Sequence, residues 1–290
     1  MQNKIVILGA NGQLGSDLQK VFMQNQLDYV ALTKQDIDVS CDDIEAKLSQ
    51  YTNVSYLINC IAITNVDGCE DNPAQAMQVN TTTSYQLAKW AQLHGVILIH
   101  FSTDYVFDGM AKIAYTEETQ ARPLSIYGLS KYAGDLAIQA YTEKYFIFRV
   151  ASLFGVAGSS GKGGNFITTM LRLARDSERN KLSVINDQFT TPTHTLDIAR
   201  CVAYFILNNV EEYGVYNCIS NSQCSWYEFT QQILERSGLD QNKIHPISYT
   251  EYNFKAKRPQ NVILSTNKLQ KYYIMPHWQN ALDEYLELIE

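Results

Sequence analysis

The chain has 290 residues, 46% of them apolar, and a formal net charge of -7 at pH 7, so it can bury a substantial core in one large domain or in two unequal lobes. The acidic balance argues against a general nucleic-acid or anionic-membrane partner, and no apolar run reaches the roughly 18 residues that a bilayer span needs. Its six cysteines form no C-x-x-C pair and do not cluster with the five histidines, which predicts reduced thiols, no metal site and a cytoplasmic protein.

The first predicted strand, Lys4–Leu8, leads directly into three glycines with the spacing G-x-x-G-x-x-G, namely Gly9, Gly12 and Gly15. The first glycine permits a tight turn, the second lets the backbone approach a pyrophosphate, and the third allows close packing of helix on strand. The N-terminus of the helix that follows offers free N–H groups to an anion. Three glycines alone could form a turn and a helix cap, but this order of elements favours a dinucleotide-binding site.

The end of the second predicted strand, Tyr29–Leu32, bears on the choice of cofactor. An acid at this place grips the adenosine ribose hydroxyls and repels a 2′-phosphate, as in NAD-selective sites. Here Thr33 and Lys34 follow the strand, and a hydroxyl and a cation can accept the phosphate. We therefore predict that NADPH binds and that NADH is also accepted. The alternative is that Lys34 points to solvent.

Further strand-like runs alternate with stretches of helical length. They are Tyr56–Asn59, Ile97–Ser102 and Tyr145–Val150. This alternation predicts an α/β fold, a doubly wound parallel sheet of the Rossmann type, whose ligands sit at the carboxyl ends of the strands. The segments 60–64 and 102–104 both fall at such ends. We interpret His100, inside the run Ile97–Ser102, as a core residue whose hydrogen bonds are satisfied.

The pattern changes after Arg149, which predicts two parts. Residues 1–154 would form the dinucleotide-binding domain, to which about 182–210 would return. Residues 155–290 would mainly form a smaller C-terminal substrate-binding lobe. Within that lobe a capping box that begins at Ser225 and includes Glu228 predicts the start of a helix, which would run to about Ser237.

Tyr127 and Lys131 lie four residues apart where a helix is predicted to open, so both would project from one face. An ammonium near a tyrosine stabilises the phenolate and would lower its pKa from about 10 toward neutral pH. This arrangement is typical of an oxidoreductase in which the tyrosine exchanges a proton. Two solvent-facing helix residues are the simpler interpretation of the spacing alone, and the glycine loop and the buried strand before it favour the functional one.

Three motifs together resemble the extended short-chain dehydrogenase/reductases that act on nucleotide sugars. They are the glycine loop, the segment Ser102–Gly109 (STDYVFDG), and Tyr127–Lys131 (YGLSK). Later segments, Asn165-Phe166, Met170–Ala174, Leu182–Gln188, Pro192-Thr193 and Arg258-Pro259, resemble the dTDP-4-dehydrorhamnose reductase family in particular. This resemblance runs from about residue 3 to about residue 285.

The resemblance implies a reaction of nucleotide-sugar biosynthesis for cell-surface polysaccharide: hydride passes from NAD(P)H to C4 of dTDP-4-dehydro-L-rhamnose, giving dTDP-L-rhamnose. Tyr127 would donate the proton, Lys131 would hold the nicotinamide ribose, and Thr103 would orient the C4 oxygen. Asp104, Asn165 and Arg258 are the further residues that would contact the substrate or brace its site. The cofactor contacts implied are Gly9, Asn11, Gly12, Gln13, Leu14, Gly15, Lys34, Asp38, Val39, Cys60, Ala62, Thr64, Asn80, Ser102, Tyr127 and Lys131.

Two positions depart from the family pattern and could retune the choice of sugar. Leu153 lies where the family more often has tryptophan, and Thr191 where a small glycine or alanine is usual. The alternatives are a reductase or epimerase of another nucleotide 4-keto sugar, and a non-catalytic NADP-binding regulatory subunit. The expected partners are a nucleotide-sugar substrate, no nucleic acid and no membrane, in a monomer or a homodimer.

Overall fold

The computed structural model describes residues 4–158, 164–179 and 181–289. Its strands are β1 (Lys4–Leu8), β2 (Tyr29–Leu32), β3 (Val54–Asn59), β4 (Ile97–Thr103), β5 (Tyr145–Val150), β6 (Leu153–Phe154), β7 (Leu182–Ile185), β8 (Phe189–Thr190), β9 (Thr193–His194), β10 (Gly214–Asn217), β11 (Cys224–Ser225) and β12 (Ile244–Ile247). Its α-helices are α1 (Gln13–Gln24), α2 (Ile44–Leu48), α3 (Val66–Asp71), α4 (Pro73–Met77), α5 (Thr83–His94), α6 (Ile126–Tyr141), α7 (Phe166–Arg175), α8 (Thr195–Leu207), α9 (Trp226–Arg236) and α10 (Trp278–Ile289).

A parallel six-stranded sheet in the order β10-β5-β4-β3-β1-β2 forms the centre of the fold. The predicted strands at Tyr29–Leu32 and Tyr145–Val150 begin and end where expected, β3 starts two residues earlier than predicted, and β4 reaches Thr103. The apolar runs of β4 and β5 follow from their central places, where helices cover both faces of the sheet. The predicted α/β, doubly wound fold is confirmed.

Apolar side chains fill both faces of this sheet. On one face α1 and α8 pack against the strands through residues such as Phe22 and Phe205, which are fully buried. On the other face α5 and α6 contribute Leu87 and Ile138, also fully buried. The two layers hold the strands in register, so the carboxyl ends of β1, β3 and β4 lie side by side at one edge.

The later part of the chain divides between the sheet and a smaller lobe. Of the range 182–210, α8 packs against α1, whereas β7 pairs with β12 outside the central sheet. Strand β10, just beyond that range, forms the edge next to β5. Helices α7, α9 and α10 share a separate apolar cluster. The capping box at Ser225 is confirmed, and α9 ends at Arg236.

None of the helices in the described part of the chain combines the length and the apolarity that a membrane crossing requires.

Candidate active site

Helix α6 carries Tyr127 and Lys131 toward the interior. Ser125 caps the helix, because its Oγ accepts a hydrogen bond from the backbone N–H of Gly128 at 3.2 Å. The first turn lies so close to the turn after β4 that a Cβ on Gly128 would be 2.3 Å from the carbonyl oxygen of Tyr105. Tyr127 is 9% exposed and Lys131 1% exposed. Both side chains therefore point inward, which excludes the interpretation as two solvent-facing helix residues.

Tyr127 meets the end of strand β4. Its side chain faces that of Thr103, the last residue of the strand, and the hydroxyl of Thr103 opposes part of the effect that burial has on the pKa of Tyr127. The Thr103 hydroxyl donates to Asp104 Oδ1 at 3.0 Å and accepts from the backbone N–H of Tyr105 at 3.2 Å. Burial raises the pKa of Asp104 to about 7. The structure thus brings together the two hydroxyls that were predicted to act on the substrate, with Asp104 as the brace of Thr103.

The pKa of Tyr127 differs from the sequence-based prediction. We expected the ammonium of Lys131 to lower it, but burial raises the pKa of Tyr127 above its ordinary value of 10. The physical reason is the removal of the phenol from water, while Lys131 Nζ lies 3.0 Å from Nε2 of His100 and does not oppose that effect. That prediction was wrong. The phenol is protonated at neutral pH, which is the state that a proton donor needs.

A buried polar network lies behind the tyrosine. His100 Nδ1 faces the side-chain amide nitrogen of Asn59 at 3.1 Å, while Asp135 Oδ1 lies 3.9 Å from His100 Nε2. The hydroxyl of Ser102 donates to Asp135 Oδ2 at 2.5 Å. Burial lowers the pKa of Lys131 to about 8, against the opposing effect of Asp135, and raises the pKa of Asp135 to about 6. Ser102 therefore points inward, and its contact with the cofactor stays a prediction.

The glycine loop has the shape that its spacing predicts. Gly9 has φ of +71°, in the left-handed region that glycine adopts without strain. Gly12 precedes α1 and supplies no side-chain cap to its N-terminus. A Cβ on Gly15 would lie 2.4 Å from the carbonyl oxygen of Gly9. The loop therefore presents uncapped N–H groups next to a backbone where only glycine fits, and these residues suit a dinucleotide pyrophosphate.

The other predicted residues of this loop face different surroundings. Asn11 is exposed, whereas Leu14 is part of the core. Gln13 is half-buried, and its Oε1 is buried without a hydrogen-bond partner in the described residues. An unpaired amide oxygen at the start of α1 is a further polar group that a ligand can satisfy.

The end of β2 places Lys34 at the surface. Its side chain is 79% exposed and its Nζ lies 3.4 Å from Asp38 Oδ2. Asp36 accepts hydrogen bonds from the backbone and the hydroxyl of Thr33, at 2.8 and 2.9 Å. Val39 is buried. Lys34 is thus an exposed cation paired with an acid, and its contact with a 2′-phosphate stays a prediction.

The segment after β3 carries three of the predicted cofactor contacts. The backbone N–H of Cys60 donates to the carbonyl oxygen of Leu8 at 3.0 Å, so this segment begins beside the glycine loop. Cys60 and Ala62 are half-buried, and Thr64 is exposed. Burial raises the pKa of the Cys60 thiol, which therefore stays neutral.

Asn80 braces that segment against helix α6. It lies in a π-helical turn, Gln78–Thr82, and is 1% exposed. Its side-chain oxygen accepts from the backbone N–H of Ile63 at 2.9 Å, and its nitrogen donates to the carbonyl oxygen of Ile63 at 3.1 Å and to Ser130 Oγ at 2.9 Å. These three bonds hold the segment after β3 to α6, and the predicted contact of Asn80 with the cofactor stays a prediction.

Arg258 lies near Tyr105, whose ring centroid is 5.6 Å from that of Tyr127. Its guanidinium donates to Asp67 Oδ2 at 2.8 Å and lies 4.4 Å from the ring centroid of Phe254. Asp67 also accepts from the backbone N–H of Ala256 at 3.0 Å, and Ala256 packs in the same apolar cluster as Tyr127. The segment around Arg258 is therefore tied by Asp67 to the start of α3, beside the tyrosine.

Asn165 lies apart from this group. It caps α7, where its side-chain oxygen accepts from the backbone N–H of Thr168 at 3.0 Å. Its nitrogen donates to the carbonyl oxygen of Gly155 at 3.0 Å and to the hydroxyl of Tyr285 at 2.8 Å. These bonds engage the whole amide in holding the smaller lobe, so its contact with the substrate stays a prediction.

One cluster in the described residues has the composition of a metal site. His194, Asp197 and Glu284 place their ligand atoms within 4.8 Å of one another. Arg200 donates to Asp197 at 2.9 Å and to both oxygens of Glu284 at 2.8 and 2.5 Å. The carboxylates are therefore neutralised by a guanidinium. Asp17, nearby, accepts a hydrogen bond from Thr195.

The sequence reasoning missed three residues of this site. Asp135 follows Lys131 by four positions on the same helix face, so helical spacing could have revealed it. Asn59 is the last residue of a predicted strand, and its polarity at a carboxyl end was a weak signal. Asp67 gave no signal, because its partner Arg258 is 191 residues away in the chain.

Comparisons with known proteins agree with this geometry. The family model described as RmlD substrate binding domain matches residues 3–290. The dTDP-4-dehydrorhamnose reductase of Escherichia coli K12 is 35% identical over 288 residues, which cover 95% of this chain and 94% of that protein. The spore coat polysaccharide biosynthesis protein SpsK of Bacillus subtilis is 34% identical, covering 98% and 97%.

Solved structures show the same similarity over the whole chain. A dTDP-4-dehydrorhamnose reductase from Clostridium acetobutylicum has a TM-score of 0.90 at 35% identity, covering 99% of both chains. The dTDP-4-dehydrorhamnose reductase of Bacillus anthracis, solved in complex with NADP, has a TM-score of 0.90 at 32% identity, covering 99% of this chain and 100% of that one.

Proposed function

Since this chain belongs to the RmlD substrate binding domain family, we propose that it reduces dTDP-4-dehydro-L-rhamnose to dTDP-L-rhamnose in nucleotide-sugar biosynthesis. It is an oxidoreductase, and NADPH supplies the hydride. The observation that carries the proposal is that the buried Tyr127 side chain faces that of Thr103 at the end of the central strand β4. Two hydroxyls that converge at this edge can hold one carbonyl oxygen between them.

The residues at this edge then have distinct roles. The Thr103 hydroxyl, which donates to Asp104 in the free protein, would turn its proton to the C4 oxygen of the sugar and orient it. Tyr127 keeps its proton at neutral pH because burial raises its pKa, and it donates that proton as the oxyanion develops. Placing two donors where charge appears is the usual way in which a site stabilises such an oxyanion.

The cofactor would lie along the carboxyl ends of β1, β3 and β4. The glycine loop, from Gly9 to Gly15, would hold the pyrophosphate, and Lys131 the nicotinamide ribose. Lys34 would meet the 2′-phosphate, with Asp38 and Val39 near the adenine end. The support for this placement is the uncapped start of α1 and the closeness of Cys60 to the loop.

The substrate would enter from the side of the smaller lobe. Arg258 would exchange its partner Asp67 for the diphosphate, since a guanidinium binds carboxylate and phosphate oxygens in the same way. We propose the division in which 1–154, to which about 182–210 returns through α8, binds the dinucleotide, and the rest of the part from 155 onward mainly binds the sugar nucleotide. We also propose a cytoplasmic monomer or homodimer.

A panel of nucleotide 4-keto sugars with NADPH tests the proposal. We expect NADPH oxidation to be fastest with dTDP-4-dehydro-L-rhamnose and the product to be dTDP-L-rhamnose. Faster reduction of another 4-keto sugar would reassign the substrate. Leu153 and Thr191 would then be the first positions to substitute, to find which residue sets the choice of sugar. Conversion without net loss of NADPH would indicate an epimerase. NADPH binding without turnover of any sugar would indicate a regulatory subunit.

A further inference from the structure

The side-chain nitrogen of Lys131 faces a ring nitrogen of His100, whereas an ammonium would require a hydrogen-bond acceptor at that place. Its Nζ lies 3.0 Å from Nε2 of His100, and both residues are 1% exposed. In the described residues this is the hydrogen-bond contact that the amine makes. Which atom donates depends on the position of the proton on the imidazole ring.

Asn59 decides the position of that proton. Its side-chain oxygen accepts from the backbone N–H of Ile61 at 3.0 Å, and a backbone N–H can only donate. The amide nitrogen of Asn59 must therefore face Nδ1 of His100, at 3.1 Å. Since that nitrogen is a donor, Nδ1 must be the acceptor, and the proton of a neutral imidazole must sit on Nε2.

The consequence reaches Lys131. An Nε2–H donor that faces Nζ at 3.0 Å requires a lone pair on the amine, which an amine has and an ammonium lacks. If Lys131 were charged, its ammonium and the Nε2–H of His100 would be two donors facing each other. With the proton on Nδ1 instead, the two facing donors would be Nδ1–H and the amide nitrogen of Asn59. Turning the Asn59 amide would move this conflict between two donors to Ile61. The chain of hydrogen bonds is satisfied throughout only with a neutral lysine.

We propose that His100 is a positioning residue that favours the neutral amine of Lys131 over the ammonium in the free enzyme, so that Lys131 takes up a proton from solvent when the reduced dinucleotide binds in mildly alkaline solution. The inference rests on the proposed function, in which the amine meets ribose hydroxyls that can accept from an ammonium. The step is a simple protonation: an –NH₂ group and a solvent proton become –NH₃⁺. The ammonium formed then stabilises the phenolate of Tyr127 during turnover.

The charged groups around the amine fit this change. Asp135 on α6 has an oxygen, Oδ1, that is buried without a hydrogen-bond partner in the described residues and can take an N–H of the ammonium. Cys60, directly after β3, is a neutral thiol. The charge of Arg149, on β5, lowers the pKa of Asp135. Burial lowers the pKa of Lys131 to about 8 and that of His100 well below 6.5, so the imidazole stays neutral.

Calorimetric titration with NADPH in buffers of different ionisation enthalpy measures the protons taken up on binding. At about pH 8.5 and a pKa of about 8, roughly three quarters of Lys131 is neutral, so the wild-type protein should take up about three quarters of a proton. The 2′-phosphate, whose pKa is about 6, is already ionised at this pH. NADH, which has no such phosphate, should give the same uptake.

Two variants test whether the proton uptake depends on the tautomer of His100 or only on how its side chain is packed. His100→Gln offers an amide oxygen to the ammonium, and proton uptake should fall toward zero while NADPH still binds. Asn59→Asp replaces the donor at Nδ1 by an acceptor, reverses the tautomer and should also abolish the uptake. His94→Gln, at an exposed histidine of α5, is the matched control and should leave the uptake unchanged. Uptake that persists in both site variants would overturn the proposal.

Nitrogen NMR of the wild-type imidazoles gives a second readout that needs no variant. We expect His100 to carry its proton on Nε2, and a signal from protonated Nδ1 would overturn the inference whether or not the variants fold. NADPH binding without proton uptake would do so too. A failure of the proposed function shows itself differently, as the absence of binding heat or of keto-sugar reduction, and the NMR signal still decides the state of His100.

Discussion

The brace formed by Asn80 allows a prediction whose magnitude follows from the structure. Asn80→Ala removes three hydrogen bonds, two to the backbone of Ile63 and one to Ser130 Oγ. At about 1 kcal/mol for each bond, and somewhat more where a half-buried backbone group is left unpaired, the loss of unfolding free energy is about 2 to 4 kcal/mol. The smallest part of this loss comes from Ser130, because its hydroxyl still donates a hydrogen bond to the carbonyl oxygen of Tyr127 at 2.8 Å.

Thermal unfolding and cofactor titration measure the two consequences. An unfolding entropy of about 2.1 cal/mol/K per residue gives about 0.6 kcal/mol/K for 290 residues, so the Tm should fall by about 3 to 7 °C. The segment that Asn80 holds, 60–64, is proposed to line the cofactor. In the variant this segment would become ordered only when NADPH binds. If that ordering costs about 1.4 kcal/mol of binding free energy, the NADPH Kd becomes about tenfold weaker.

Asn217→Ala is the matched control. Asn217 is fully buried and its amide nitrogen donates to the carbonyl oxygens of Tyr115 at 3.0 Å and Ser265 at 2.9 Å. Its loss should lower the Tm by a similar amount and leave the NADPH Kd unchanged. If Asn80→Ala lowers the Tm while its Kd stays within twofold of the wild type, Asn80 stabilises the fold and does not prepare the cofactor site.

Three further changes test other parts of the site. Tyr127→Phe removes the proposed donor, so kcat should fall about a hundredfold or more while fluorescence titration gives an unchanged NADPH Kd; near-normal turnover would refute the role. Gly15→Ala would place a Cβ 2.4 Å from the carbonyl oxygen of Gly9, and we expect NADPH binding to be lost along with several degrees of Tm, whereas a variant that binds normally would show that the loop can yield. Lys34→Ala should raise the KM for NADPH and spare that for NADH in initial-rate assays, and equal effects on both would show that the cation paired with Asp38 does not read the phosphate.

Short-range patterns in the sequence were sufficient to predict several secondary-structure elements of this protein and the helix face that its two central side chains share. The strand Lys4–Leu8 with its three glycines, the capping box at Ser225 and the pair Tyr127 and Lys131 are each encoded within a few consecutive residues. Local backbone preferences and helical or strand periodicity act over that distance, so these elements could be predicted without a structure. The parallel sheet followed from the alternation of strands and helices, and the family followed from the motifs at the strand ends.

Tertiary structure alone decided the state of the groups within the site. His100 meets Asn59 across 41 positions and Lys131 across 31, because neighbouring parallel strands bring Asn59 and His100 into register and α6 packs over them. The sequence places these residues in three separate elements and gives no measure of how deeply they are buried. Burial reversed the direction predicted for the pKa of Tyr127, since removal from water disfavours a phenolate and the nearby amine is engaged elsewhere. Periodicity determines which face a side chain occupies, whereas its partners and its charge depend on how those faces are packed together.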